Sequence, residues 1–120
     1  MLSFSSWQKL SGEIAEVAGP IARRYFQSGE SATLKADATP VTEADTRIEG
    51  EIRTLLRDRF PDVGIVGEEF GSQAAESEYC WYIDPIDGTQ SFVHGVPLFA
   101  TLVGLVHRDQ PILGLIYQPI

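Results

Sequence analysis

Asp84-Pro85-Ile86-Asp87-Gly88-Thr89, led in by the apolar run Tyr79-Cys80-Trp81-Tyr82-Ile83, is the stretch around which the chain is organised. The run reads as a buried strand that delivers Asp84 and Asp87 to its end. Two close carboxylates repel each other, so the pair calls for a cation. Magnesium suits it, because that ion takes a few carboxylates and keeps its other positions for water or phosphate. Pro85 fixes one backbone dihedral, which would let the Ile86 carbonyl point at the same ion. Gly88 and Thr89 open a short helix, and helix N-termini offer N–H groups to phosphate. Metal at one end and an anion seat at the other is the layout of a phosphate-ester hydrolase. Taken alone, D-x-x-D is more simply a solvated turn. Two acidic signals upstream change that reading.

The chain has 120 residues, enough for one domain with one core. Its 43% hydrophobic and 22% charged residues are ordinary for a globular protein. A net charge of −8 argues against nucleic acid as a partner and fits a carboxylate-rich site completed by cations. Cys80 is the single cysteine, so no intrachain disulfide can form, and it reads as a buried structural thiol in a reducing compartment. No apolar run reaches the roughly 18 residues of a membrane span. The N-terminus lacks the basic-then-apolar pattern of a secretion signal. A cytoplasmic protein with no membrane partner is expected.

Residues from about Ser5 to Gln27 predict a helix, with Leu10, Ile14, Val17, Ile21 and Tyr25 as its apolar stripe. Pro20 should kink it and Ser28-Gly29 should end it. Lys35 sits in a polar link, where it could meet a phosphate or lie in water. Thr42 and Asp45 form a capping-box signal at the start of a second helix. Ala44, Ile48, Ile52, Leu55 and Leu56 are its buried face; Arg47, Glu51 and Arg53 are its wet one. Phe60-Pro61 closes it.

Val63-Gly64-Ile65-Val66-Gly67 predicts a short strand with Glu68 and Glu69 at its end, and residues 73–78 a polar loop. If the strand continues, only one of the two glutamates faces a given site. Gln90 to Pro97 read as a short helix closed by Gly95, with His94 bonding locally or serving as a general acid. His107 reads as surface. Leu98–Val106 and Ile112–Tyr117 predict an antiparallel hairpin with a loop of about five residues. The fold class is therefore α+β, an antiparallel sheet with helices on one face. Pro119-Ile120 follows directly on a β run, with no helix for the other face. This leads to the expectation that residues 1–120 are the N-terminal part of a longer protein.

These residues together resemble the inositol monophosphatase family. Asp84-Pro85-Ile86-Asp87-Gly88-Thr89 is similar to its signature, Gly67-Glu68-Glu69 to its second acidic motif, and Lys35 with Thr39-Pro40-Val41-Thr42-Glu43-Ala44-Asp45 to its upstream element. The resemblance covers essentially the whole chain. Phe92-Val93-His94-Gly95 resembles the inositol-phosphate enzymes. Glu69-Phe70-Gly71, Pro97-Leu98-Phe99 and the segment from Pro111 to Pro119 resemble the histidinol-phosphate phosphatases of this fold, which they favour.

The resemblance implies a layered sandwich of helices and sheets, dependence on Mg²⁺ (or Mn²⁺), sensitivity to Li⁺, and a small phosphorylated metabolite of histidine biosynthesis as substrate. It implies that Glu68, Asp84 and Asp87 bind metal through side chains and Ile86 through its carbonyl. Asp45 and Thr89, with Glu68, would activate the attacking water. Gly88 and Thr89 would donate N–H groups to phosphate, Lys35 would lie in a loop near the site, and Glu69 would support the ligands. The family carries a further metal-binding Asp in a Trp-Asp segment. Here Trp7 precedes Gln8 and Trp81 precedes Tyr82, so that residue is absent. The 120 residues alone are thus expected to bind metal weakly, to turn over slowly and to form a homodimer or larger species. A non-catalytic module that binds metal or phosphate is the alternative from another class.

Overall fold

A computed structural model describes residues 3–26, 33–34, 40–73 and 77–120. Helix α1 spans Phe4–Tyr25, started by the Ser3 hydroxyl accepting from the Ser6 N–H at 3.1 Å. It runs on through Pro20, which lies on the exposed side, where its missing donor faces water. It ends at Tyr25, short of the expected Gln27, and the expected Ser28-Gly29 stop lies outside the described residues. Strands β1 (Thr33–Leu34) and β2 (Pro40–Val41) form a small antiparallel pair.

Helix α2 spans Glu43–Arg59 behind the expected capping box, and Phe60 caps its other end. Ala44, Ile48, Ile52 and Leu56 are fully buried, but so, nearly, is Arg53 at 6% exposure. The expectation of a wet Arg53 is therefore corrected. Its head group has buried partners, which an apolar-stripe pattern does not reveal.

The remaining strands form one five-stranded sheet in the order β4-β3-β5-β6-β7. They are β3 (Gly64–Gly67), β4 (Gly71–Gln73), β5 (Tyr79–Asp87), β6 (Ala100–His107) and β7 (Gln110–Tyr117). The short helix α3 (Thr89–Val93) links β5 to β6. The sheet is mixed rather than antiparallel throughout, because β3 and β5 pair in parallel. Strand β4, whose last residue Gln73 is the first of the expected polar loop, doubles back on β3. The hairpin loop between β6 and β7 is two residues, not five. Arg108 and Asp109 adopt φ of 49° and 66° there, the left-handed turn that suits strand twist. Pro111 fits inside β7 because this is an edge strand with a register shift opposite Leu105/Val106.

Alternation along β5 and β6 buries Trp81, Ile83, Val103 and Leu105 in one core with Ile14, Ile48 and Ile52 of the helices. Trp81 stacks on Trp7 at 5.9 Å and meets Phe60 at 5.6 Å between ring centres. The opposite row reads Tyr82–Gly104–Gly114 and Asp84–Leu102–Ile116 across three strands. Tyr82, Ile112 and Ile116 on this side are exposed, as is Leu98 nearby, Ile116 by 76%. Contiguous apolar surface of this kind promotes association. Light scattering on the 120-residue chain is expected to give a mass of a dimer or more, and Ile116→Lys to lower it; a monodisperse wild-type monomer would contradict this. Among the described residues no helix is long and apolar enough to cross a membrane.

Candidate active site

Asp84 and Asp87 are three positions apart, so regular strand alternation would send them to opposite faces. The β5–β6 register slips between them: Asp84 pairs with Leu102 and Asp87 with Ala100. A bulge of this kind re-aims side chains. It falls at Pro85, which has no N–H to give to the ladder. The freed Pro85 carbonyl accepts from the buried Thr101 hydroxyl at 2.8 Å. Gly88 then turns the chain into α3 at φ 94°, and a Cβ there would stand 2.8 Å from the Leu98 carbonyl.

Asp45 is 2% exposed, and its two oxygens have different partners. Oδ2 accepts from the Thr42 N–H at 2.8 Å and the Thr42 hydroxyl at 2.5 Å, which completes the helix cap. Oδ1 accepts from the Thr89 hydroxyl at 3.2 Å. Capping and a contact with the central motif thus coexist on one carboxylate. The Thr89 hydroxyl also lies 3.1 Å from the Ile86 carbonyl.

Glu68 and Glu69 lie on the turn joining β3 to β4. The Glu68 N–H donates to the Ile83 carbonyl at 3.3 Å, which sets Glu68 beside Asp84. The turn is also tied to α2. The buried Glu49 accepts from the Glu69 N–H at 2.8 Å, the Phe70 N–H at 2.9 Å and Arg53 Nε at 3.0 Å. Arg53 in turn donates to the Gly71 carbonyl. Sequence reasoning missed Glu49 and Arg53. Their i, i+4 spacing was the available signal, but such pairs are usually solvated.

Burial, then the charges of Glu68, Asp87, Asp45 and Glu69, push the Asp84 carboxyl up to about 6. A carboxyl whose proton affinity is raised by neighbouring carboxylates marks a donor set that a hard divalent cation relieves, so the residues present fit an ion such as Mg²⁺ or Mn²⁺. Among the described residues, no three acidic, His or Cys side chains already converge on a single ion position. The carboxylates of Glu68, Asp87, Asp45 and Glu69 lie within electrostatic reach of Asp84. A cavity of about 380 Å³ beside Glu68 and Asp84, lined also by Val66, Tyr82 and Leu102, opens on the uncovered sheet face.

The histidines stay outside this constellation. His94 Nδ1 bonds locally with the Gln90 carbonyl at 2.7 Å, and His107 stacks on Tyr79 beside Glu78. Cys80 is half-buried rather than buried, and desolvation pushes its thiol pKa up, away from reactivity. Lys35 lies outside the described residues.

Known proteins are similar to this chain over most of its length. The model of the inositol monophosphatase family matches residues 4–120. A histidinol-phosphatase of Chlorobaculum parvum is 43% identical over 92% of this chain and 43% of its own length. The chloroplastic bifunctional phosphatase IMPL2 of Arabidopsis thaliana is 41% identical over 89% of this chain and 32% of its own. An inositol monophosphatase structure from Zymomonas mobilis superposes with a TM-score of 0.81 at 38% identity, over all of this chain and 46% of that one. The chain thus spans less than half the length of these relatives. With the matched segment running through α1, the capped α2, the Glu68 turn and the bulged Asp84–Thr89 motif, the chain belongs to the inositol monophosphatase family.

Proposed function

We propose that this chain supplies the metal- and water-handling part of a Mg²⁺-dependent phosphomonoester hydrolase whose substrate is histidinol phosphate. The observation that carries the reading is the Thr89 hydroxyl, held 3.2 Å from Asp45 Oδ1 beside the carboxylates around Asp84. Glu68, Asp84 and Asp87 would hold metal through side chains and Ile86 through its carbonyl, with Mn²⁺ as a substitute and Li⁺ as an inhibitor. When bound, the metal supplies a lowered water pKa and charge for the phosphate oxygens.

The chain's own residues orient the nucleophile. The Thr89 hydroxyl has one proton and two acceptors. Of the two, Asp45 is the stronger acceptor because it is charged, and the Ile86 carbonyl would be left free to hold the ion. The Thr89 lone pairs then face outward and accept from a water, aligning it for in-line attack. Glu68 would accept that water's proton. Backbone N–H groups of Gly88 and Thr89 would hold the phosphate, Glu69 would support the ligand turn, and Lys35 would approach from its loop. A homodimer in the cytoplasm, and low turnover by the 120 residues alone for want of the Trp-Asp carboxylate, belong to the same reading.

The substrate assignment draws on the Chlorobaculum relative's name and on the segments Glu69-Phe70-Gly71 and Pro111–Pro119. Phe92-Val93-His94-Gly95 favours inositol phosphate as the second reading. Turnover of the two esters, measured side by side on a protein of the relatives' full length, separates them. No Mg²⁺-dependent phosphate release from either would leave the non-catalytic module.

Metal binding has its own check. Binding to the folded state alone stabilises it by about 2.7 kcal/mol when the ion is at 100 times its Kd. Mg²⁺ or Mn²⁺ titration is therefore expected to raise Tm, and Asp84→Asn to abolish most of the rise. A Tm that ignores the ion in the wild type would remove the metal site from this account.

A further inference from the structure

The proposed chemistry leaves one buried charged pair unused. Glu49 is 0% and Arg53 6% exposed, both on the face of α2 that meets the β3–β4 turn. A carboxylate in such a place must be fully partnered. Arg53 alone would neutralise it. Glu49 instead accepts from two successive backbone N–H groups, those of Glu69 and Phe70, while Arg53 reaches the Gly71 carbonyl. Gly67, on the other flank of Glu68, packs against the same carboxylate, and a Cβ there would collide with it. The residues on both sides of Glu68 are thus gathered by one side chain. One helical turn earlier, Asp45 reaches Thr89. Both acidic side chains of α2 that point inward therefore hold a separate piece of the site.

We propose that Glu49 is a positioning residue: it clamps the Gly67–Gly71 turn so that Glu68 is kept beside Asp84, where the two carboxylates can be drawn onto a divalent cation. What the cluster binds rests on the phosphatase reading; the clamp itself does not. Two readouts on the 120-residue chain keep these apart. One is amide hydrogen exchange at Glu69 and Phe70, followed by NMR. The other is Mn²⁺ affinity, from the free-ion EPR signal.

In Glu49→Gln, one amide N–H₂ faces backbone N–H donors and the Arg53 head group. The Glu69 and Phe70 amides are expected to lose protection while those of β5 keep theirs, and Mn²⁺ affinity to fall about 10- to 100-fold, as for other residues that orient metal ligands. Glu49→Asp keeps the charge but is shorter by one methylene. Positioning makes it behave like Gln; mere charge balance makes it behave like wild type. Should Glu49→Gln fail to fold, Glu49→Asp and Gly67→Ala carry the same two readouts. Folded variants with wild-type protection and wild-type Mn²⁺ affinity overturn the proposal, as does a loss of protection spread evenly over the sheet. A wild type that binds no Mn²⁺ defeats the metal reading, and the exchange pattern still decides the clamp.

Discussion

Thr89→Ala is expected to lower kcat about 10²- to 10⁴-fold in a protein of the relatives' full length, the range for losing a positioned proton-handling group. Metal affinity should change little. The hydroxyl joins Asp45 to the Ile86 carbonyl, at 3.2 Å and 3.1 Å. Alanine removes the hydroxyl together with the γ-methyl, but the position is only half-buried, so the fold should persist. The Asp45 carboxylate keeps both Thr42 contacts and the helix keeps its cap. What disappears is the oriented acceptor for a water. The loss should therefore sit in kcat, with the Mg²⁺ concentration for half-maximal rate nearly unmoved. Thr89→Ser, which restores the hydroxyl, should recover most of the rate. Asp45→Asn is a less clean probe because it disturbs the cap as well, at about 0.5–2 kcal/mol of stability. A Thr89→Ala enzyme within a few-fold of wild-type kcat would reduce Thr89 to a support for the turn.

Trp81→Ala is expected to cost about 3–5 kcal/mol, the usual loss for a large buried aromatic. Small domains have about 5–15 kcal/mol in all, so the variant should be at or near unfolding. Trp81 is fully buried, stacked on Trp7 and in tilted contact with Phe60, and thus ties the start of α1 and the end of α2 to the central strand. The same strand carries Asp84 and Asp87, so what loosens it loosens the site. Trp81→Phe should cost much less. The indole Nε1 has no hydrogen-bond partner in the core, and its removal forfeits no bond. Urea unfolding measures both variants through the midpoint at constant m-value. A Trp81→Ala loss under about 1 kcal/mol would mean that the core collapses around the gap far better than cores ordinarily do.

The local chemistry of the chain was sufficient for several elements. The Thr42/Asp45 cap, the apolar stripe of α2 and the stop at Phe60 were legible because each is a contact between residues within one helical turn. The central motif was legible because two carboxylates, a proline and a glycine-threonine pair stand in sequence. Residue identity was enough to name Asp45 and Thr89 as partners only through the family resemblance. Their separation of 44 positions hides the contact from any local pattern.

Tertiary structure decided the rest, for one recurring reason: the partners are distant in sequence and the deciding groups are backbone atoms. Arg53 reads as solvated because water is the default partner of a guanidinium, yet the turn at Gly71 supplies a carbonyl and Glu49 a buried carboxylate. The parallel pairing of β3 with β5 depends on which edge the intervening β4 hairpin leaves free, and apolar alternation is blind to direction. Pro111 reads as loop, but the register shift on an edge strand accommodates it. The bulge at Pro85 breaks the alternation that would otherwise send two aspartates three apart to opposite faces. The sequence by itself thus determined which residues are the candidates for the chemistry and most of the helices and strands that present them. Only the packed sheet and the clamp from α2 decided how those residues face one another, because that geometry is set by hydrogen bonds between main chains far apart in the sequence.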